Sequence, residues 1–278
     1  MKISFLGTGA AEGVPAMFCN CPLCQSVRAA GERCFHTRSQ VVIDGEISVD
    51  FPPDAYAHSL KFGVDLSSLA CVLATHSHMD HFYAHDFILR GYKYAKVSAP
   101  KLTVFGNAEV KAVFEECTRR EMKPEVLQNI ELTEVKAFQE LKFKDYKILT
   151  LPAQHGTAEE ALLFYIERSG AGYLHLYDTG ALSDEAVEFL AKNRAKALLI
   201  AFDCTFLDAP PKKGTRHMCV RDNIAIFKRL VAAGVADGKT KKVITHFSHN
   251  SNPTAERLAE IEKKYGVTAA YDGLTLEI

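Results

Sequence analysis

Short apolar or alternating runs recur along the whole chain, at 2–6, 41–44, 47–50, 70–74, 101–105, 146–151, 161–167, 172–177, 197–201, 242–245 and 274–278. Each has the length and patterning of a strand. Between them, apolar residues recur at helical intervals. The spacing predicts helices over 107–120, 183–192, 220–233 and 254–265, several with a Ser, Thr, Asp or Asn near the start to cap the first turn. The mixture is α/β. No Pro/Gly/Ser-rich linker, charge block or internal repeat interrupts it, so residues 1–278 read as one domain.

The chain has 278 residues, 47% hydrophobic and 24% charged, which suffices for a substantial core. Its 33 basic and 34 acidic residues give a formal net charge of −1, so the molecule exerts no long-range pull on a polyanion. The basic clusters Arg119-Arg120, Lys212-Lys213 and Lys239-Thr240-Lys241-Lys242 are short. A small molecule, not nucleic acid, is therefore the expected partner. Met1 leads directly into Ile3-Ser4-Phe5-Leu6 without a basic leader, and no segment reaches the roughly 18 apolar residues of a membrane span. A cytoplasmic protein without membrane contact is expected, with a homodimer left open. Eight cysteines in a reducing compartment point to metal ligation or burial rather than disulfides. Cys34, Cys71, Cys117, Cys204 and Cys219 stand alone and read as small buried hydrophobes.

The chemistry-bearing residues fall where predicted strands end. Thr75-His76-Ser77-His78-Met79-Asp80-His81 follows the run at 70–74. In extended backbone, residues two apart project to one side, so His76 and His78 can hold one ion together. If the chain then turns, Asp80 and His81 face a second. Three imidazoles and a carboxylate within six residues suit a divalent cation such as zinc, manganese or iron. His155, Asp178 and His246 each end a further predicted strand and are candidate ligands for the same reason.

His-x-His-x-Asp-His is the signature of the metallo-β-lactamase superfamily, and the chain resembles that superfamily from Gly7 to about His249. The resemblance implies a four-layer αββα sandwich with one metal on His76, His78 and His155. It implies a second on Asp80, His81 and His246, with Asp178 bridging, and places Asp50 behind a ligand as its orienting group. Two such ions, roughly 3.5–4 Å apart, share a water and lower its pKa enough to supply hydroxide near neutral pH, the expected nucleophile. Phosphodiester, ester, amide and thioester hydrolysis all remain open to such a centre.

Cys19, Cys21 and Cys24 lie within six residues, too close for easy disulfide geometry but suited to three corners of a structural zinc tetrahedron. His249 is the best fourth ligand, because it shares a short loop with His246 while facing away from it. The alternative is a surface loop of reduced thiols. Gly7-Thr8-Gly9, which reads as a tight turn at a strand end, together with these cysteines and His249, resembles the cyclic phosphodiesterases of the carbon–phosphorus lyase pathway. Asp203-Cys204-Thr205 and Thr215-Arg216-His217 are similar to paired motifs of that branch and of the tRNA 3′-processing endonucleases. The resemblance makes Asp203 the residue that orients His217, and His217 the general acid for the leaving oxygen. The expected activity is hydrolysis of a small, cyclic ribose phosphate diester. The alternatives are tRNA 3′ processing and a non-catalytic metal-bearing carrier like the pyrroloquinoline quinone biosynthesis protein, which carries similar cysteines. The sequence does not single out the side chains that hold substrate phosphate: Arg38, His85 and Tyr177 are conceivable, and a structural role is equally open for each.

Overall fold

In the computed structural model, which describes residues 1–156, 159–212 and 214–278, the apolar runs become strands of two seven-stranded sheets. Lys213 of the basic pair lies outside the described residues. The first half of the chain supplies β1 (Lys2–Gly7), β2 (Gln40–Ile43), β3 (Ile47–Val49), β4 (Cys71–Leu73), β5 (Leu102–Gly106) and β6 (Ile130–Glu134). The second supplies β7 (Glu140–Phe143), β8 (Tyr146–Pro152), β9 (Leu162–Arg168), β10 (Ala171–Leu176), β11 (Ala197–Asp203), β12 (Lys241–Thr245) and β13 (Thr268–Ala269), before β14 (Leu274–Glu277) returns to pair with β1. The sheet orders are β14-β1-β2-β3-β4-β5-β6 and β13-β12-β11-β10-β9-β8-β7. Both sheets follow one plan: strands pair antiparallel as far as β3 and β10, then parallel from there to the opposite edge.

Alternation along each strand builds the layers. In β4, Cys71 and Leu73 face the core between the sheets, while Val72 and Ala74 face outward. In β8, Ile148 faces the shared core, and Leu149 and Leu151 turn away from it. Ile148 is wholly buried, so truncation to Ala would cost about 2–5 kcal/mol.

Helices α1 (Pro22–Ala30), α2 (Ala55–Phe62), α3 (Ala108–Thr118), α4 (Pro124–Leu127), α5 (Asp184–Lys192), α6 (Val220–Ala232) and α7 (Ala255–Tyr265) cover the outer faces. Ala186 and Leu190 of α5, with Ile226 and Leu230 of α6, close the outside of the second sheet, and Val110 and Phe114 of α3 close the first. The result is the αββα sandwich.

Among the described residues, four of the seven α-helices and every internal strand fall where the periodicity predicts them. The unpredicted strands β6, β7 and β13 all lie at sheet edges, where one neighbour suffices and burial is incomplete; β7 alternates exposed and half-buried positions. Helix α1 is not among the predicted helices, because it is only nine residues long and opens on Cys21-Pro22, inside the cysteine segment read as a metal-binding loop.

The fold gathers the candidate residues at one edge. Asp50 follows β3, Thr75 to His81 follow β4, His155 follows β8, Asp178 follows β10, Asp203 ends β11 and His246 follows β12. Asp50, Asp178 and His246 take left-handed backbone, with φ of 64°, 49° and 63°. That conformation is uncommon outside glycine and concentrates at functional sites. Here it turns the chain sharply off each strand so that the side chain meets its neighbours.

Candidate metal centre

Asp178 is the hub. Its Oδ1 lies 2.8 Å from His155 Nδ1 and 3.3 Å from His217 Nδ1, and its Oδ2 lies 3.4 Å from His76 Nε2, 3.2 Å from His81 Nε2 and 3.9 Å from His246 Nε2. His76 Nε2 is 3.0 Å from His78 Nδ1, and His81 Nε2 is 3.2 Å from Asp80 Oδ2. The donor atoms fall into overlapping groups, each within 4.8 Å: His76, His78, His155 and Asp178; Asp80, His81 and Asp178; Asp178, Asp203, His217 and His246. The first group is the expected first-ion set plus the expected bridge. His246 groups with Asp203 and His217 rather than directly with Asp80 and His81, and reaches the second set through Asp178.

Two observations fit these residues to metal ions. His81 Nε2, His155 Nδ1, Asp178 Oδ1 and His246 Nε2 are buried and, among the described residues, lie close to one another without forming aligned hydrogen bonds, although poorly satisfied buried polar atoms are costly. The opposite ring nitrogens are engaged in ways that direct the free ones inward. His81 Nδ1 bonds Asp50 Oδ2 at 2.6 Å, Thr75 Oγ1 meets His76 Nδ1 at 3.0 Å, and Thr205 Oγ1 meets His246 Nδ1 at 2.8 Å. Such bonds fix the tautomer that leaves Nε2 as a lone-pair donor. Asp50 also accepts the Thr75 N–H at 2.8 Å, so one carboxylate orients His81 directly and His76 through Thr75.

The electrostatics agree. Burial would lower the His81 pKa, but the Asp80 and Asp50 carboxylates outweigh it and raise it well above the ordinary value. Burial would raise the Asp178 pKa, yet the imidazoles of His246, His155 and His81 hold it well below the carboxylate range. Ionised carboxylates ringed by imidazoles match the donor chemistry of a divalent cation site, where a bound cation would displace the proton that these carboxylates favour on His81.

Beside this cluster stands His217. Its Nδ1 lies 3.0 Å from Asp203 Oδ2, and Asp203, wholly buried, is locked in turn by the Thr205 and Met218 N–H groups on Oδ1, each at 3.0 Å. Burial alone would lower the His217 pKa, but Asp203 raises it. His217 and the cluster face one cavity of about 390 Å³, lined also by Glu12, Phe206, Arg216 and Ser248.

A second group lies behind the first. Donor atoms of Cys19, Cys21, Cys24 and His249 are all within 4.8 Å, with His249 Nδ1 3.8 Å from Cys21 Sγ and 3.7 Å from Cys24 Sγ. Cys21 caps α1; the Cys24 amide and His249 lower its pKa to about 6. Three thiols and an imidazole at this spacing fit the donor chemistry of a tetrahedral metal site.

Several residues depart from, or go beyond, expectation. Arg38 is paired with Asp54 at 2.6 Å, Tyr177 is buried between the sheets, and His85 packs beside the Tyr83 ring; none lines the cavity. At Gly7 and Gly9 a Cβ would lie 1.9 Å from Arg38 O and 2.5 Å from His36 O, so these glycines let the neighbouring segment close in on the strand end. Glu159, which carries no sequence signal, accepts from Ser77 N–H, Ser77 Oγ and Asn107 Nδ2, and so ties the histidine loop to the cap of α3.

Fold and site together define a metallohydrolase-like αββα sandwich. Residues 46–247 match the Beta-lactamase superfamily domain, and the chain belongs to that family, the metallo-β-lactamase superfamily, whose members are mostly metal-dependent hydrolases. Among solved structures it is similar over its whole length to a diphosphatase from the PhnP family, with 21% identity, 98% of that chain covered and a TM-score of 0.74. It is likewise similar to the short form of human tRNase Z (18%, 99% covered, 0.70) and to Zn(2+)-bound PqqB from Methylobacterium extorquens (18%, 100% covered, 0.68). At these identities the likeness is one of fold. The octanoyltransferase of Porphyromonas gingivalis is 36% identical over 85 residues, 29% of this chain and 16% of that protein. The match therefore spans about a sixth of that curated relative. No helix among the described residues is long and apolar enough to cross a membrane.

Proposed function

We propose that this protein is a dinuclear metal-dependent phosphodiesterase that hydrolyses a small, cyclic ribose phosphate diester. The observation that carries the reading is the pairing of a buried, N–H-locked Asp203 with His217, beside a metal-ligand cluster, in a cavity of about 390 Å³, a volume suited to a small ligand. His76, His78, His155 and Asp178 would hold one ion, and Asp80, His81, Asp178 and His246 the second. Zinc, manganese or iron suits these donors. When bound, the ions supply a lowered water pKa and positive charge for the phosphoryl oxygens. The chain does the rest. Asp50, Thr75 and Thr205 keep the ligand rings in one tautomer, and Asp178 joins the two donor sets. Asp203 stabilises the protonated form of His217, which gives its proton to the departing ribose oxygen. Cys19, Cys21, Cys24 and His249 would hold a structural zinc that braces the loop carrying His246.

Purified, metal-replete protein should hydrolyse bis(p-nitrophenyl) phosphate, and Asp80→Ala should abolish it. An unchanged Asp80→Ala rate refutes the reading. Cleavage of precursor tRNA with affinity falling steeply in salt would move the assignment to RNA. Unchanged binding and turnover in His217→Ala would favour a carrier.

A further inference from the structure

Glu159 takes no part in the chemistry proposed above, yet three donors converge on its carboxylate. The Ser77 N–H group lies 3.2 Å from Oε1 and 3.1 Å from Oε2, Ser77 Oγ donates to Oε1 at 2.8 Å, and Asn107 Nδ2 donates to Oε2 at 2.7 Å. Ser77 stands between His76 and His78, and Glu159 follows His155 by four positions. One carboxylate therefore joins, across 82 residues, the two loops that supply all three imidazoles of the first donor group. The anchor behind it is the start of a helix. Asn107 is buried and uses both ends of its amide: Oδ1 caps α3 by accepting the Val110 N–H at 2.9 Å, while Nδ2 also reaches the Glu160 carbonyl at 2.9 Å.

The need for such a grip falls on His78. His76 is buried and meets Thr75 Oγ1, and His155 is buried beside Asp178. His78 is exposed, and its Nδ1 meets His76 Nε2 at 3.0 Å and His155 Nε2 at 3.4 Å, both donor atoms of the same group. Rings that all turn toward one ion cannot hold each other in place, and a ligand must sit within about 0.5 Å of its working position. Fixing the backbone at Ser77 does for His78 what direct ring bonds do for its neighbours. The second donor set is oriented by other groups, Asp50 on His81 and Thr205 on His246. We infer that Glu159 is a positioning residue for the first ion alone: acting through Ser77, it sets the affinity of His76, His78 and His155 for a divalent cation. This inference rests on the metal centre of the proposed reading and not on its substrate.

The test is titration of metal-stripped protein with cobalt(II), read by visible absorption, in which a thiolate charge-transfer band marks cobalt at the cysteine group and separates it from the histidine cluster. Two backgrounds isolate the ions: Asp80→Ala keeps the first donor group intact, and His78→Ala keeps the second. In the Asp80→Ala background, Glu159→Gln should weaken cobalt binding at the cluster by about 10- to 100-fold, because the new N–H₂ faces Ser77 N–H or Asn107 Nδ2, donor against donor. In the His78→Ala background the same change should leave the affinity as it was. Adding Asn107→Asp to Glu159→Gln should recover part of the lost affinity, since it offers the new N–H₂ an acceptor and still caps α3; a brace that merely stabilises the fold would show neither the selectivity nor the rescue. Unchanged first-ion affinity in Glu159→Gln, or equal weakening in both backgrounds, overturns the inference. If thermal melting shows that stripped Glu159→Gln does not fold, Ser77→Ala, which removes only the hydroxyl bond, decides: it should weaken the first ion alone, and no change there is the contrary result. Absence of cobalt from the cluster of the unmutated protein refutes the metal centre and the inference with it, a failure distinct from a normal titration that is indifferent to Glu159.

Discussion

Asp203→Asn isolates what one buried carboxylate does. The change keeps the side-chain shape and the oxygen that accepts from Thr205 and Met218. It replaces the atom lying 3.0 Å from His217 Nδ1 and 3.3 Å from His246 Nδ1 with an N–H₂. Burial would raise the Asp203 pKa, but the bonds from His217 and His246 outweigh it and bring it down to about 2, so at neutral pH the lost group is an anion. A charge-assisted hydrogen bond contributes about 1.5–3 kcal/mol, or roughly 10- to 150-fold in rate at 1.4 kcal/mol per tenfold. General acid catalysis matters only when the leaving group needs a proton. The assay therefore compares a cyclic ribose phosphate, which expels an alkoxide, with bis(p-nitrophenyl) phosphate, which expels a stable phenolate, while metal content is measured on the same samples. The alkoxide reaction should slow by roughly 10- to 150-fold more than the phenolate reaction. Equal losses on both substrates at unchanged metal content would refute the assignment of His217 as an acid held by Asp203.

Three further outcomes are expected. Replacing Cys21 with serine should release the zinc proposed at the cysteine site and, because His246 and His249 share one loop, lower occupancy of the proposed second ion at the Asp178 cluster; elemental analysis showing normal metal at that cluster would break the link. Asp50→Ala removes the partner of His81 Nδ1 at 2.6 Å and should weaken metal retention against a chelator by about 10- to 100-fold, with unchanged retention as the contrary result. Burial lowers the pKa of His36 from 6.5 to about 4, so the unfolded chain binds a proton first as pH falls. His36 stability is thus full above pH 6.5 and is lost toward pH 4, by about 3 kcal/mol at 1.36 kcal/mol per pKa unit. Urea unfolding at both pH values should show this loss and His36→Gln should reduce it; identical slopes in the two proteins would contradict it.

The ligand cluster was legible because dense imidazole after a strand has few other uses, and because His155, Asp178 and His246 each punctuate the end of an apolar run. Tyr177 misled for a reason visible afterwards. It continues the alternation of Tyr173 in β10, so it points into the core between the sheets, and only Asp178, at φ 49°, turns out of the strand toward the site. Arg38 carried a charge suited to phosphate, but Asp54 claims it. The closing of the cavity wall was illegible because it joins loops distant in sequence: Glu12 meets Ser248 across 236 residues, a contact that no spacing within either segment announces. Edge strands were hidden by weak burial, and α1 because it is short and starts inside the cysteine segment.

The most direct measurement is turnover of a cyclic ribose phosphate by protein whose metal content is titrated from stripped to replete, with Asp178→Ala alongside. Turnover should rise with the filling of the two catalytic positions, be absent in the stripped protein and be lost in Asp178→Ala. Turnover by stripped protein, or none at full occupancy, would contradict a dinuclear phosphodiesterase.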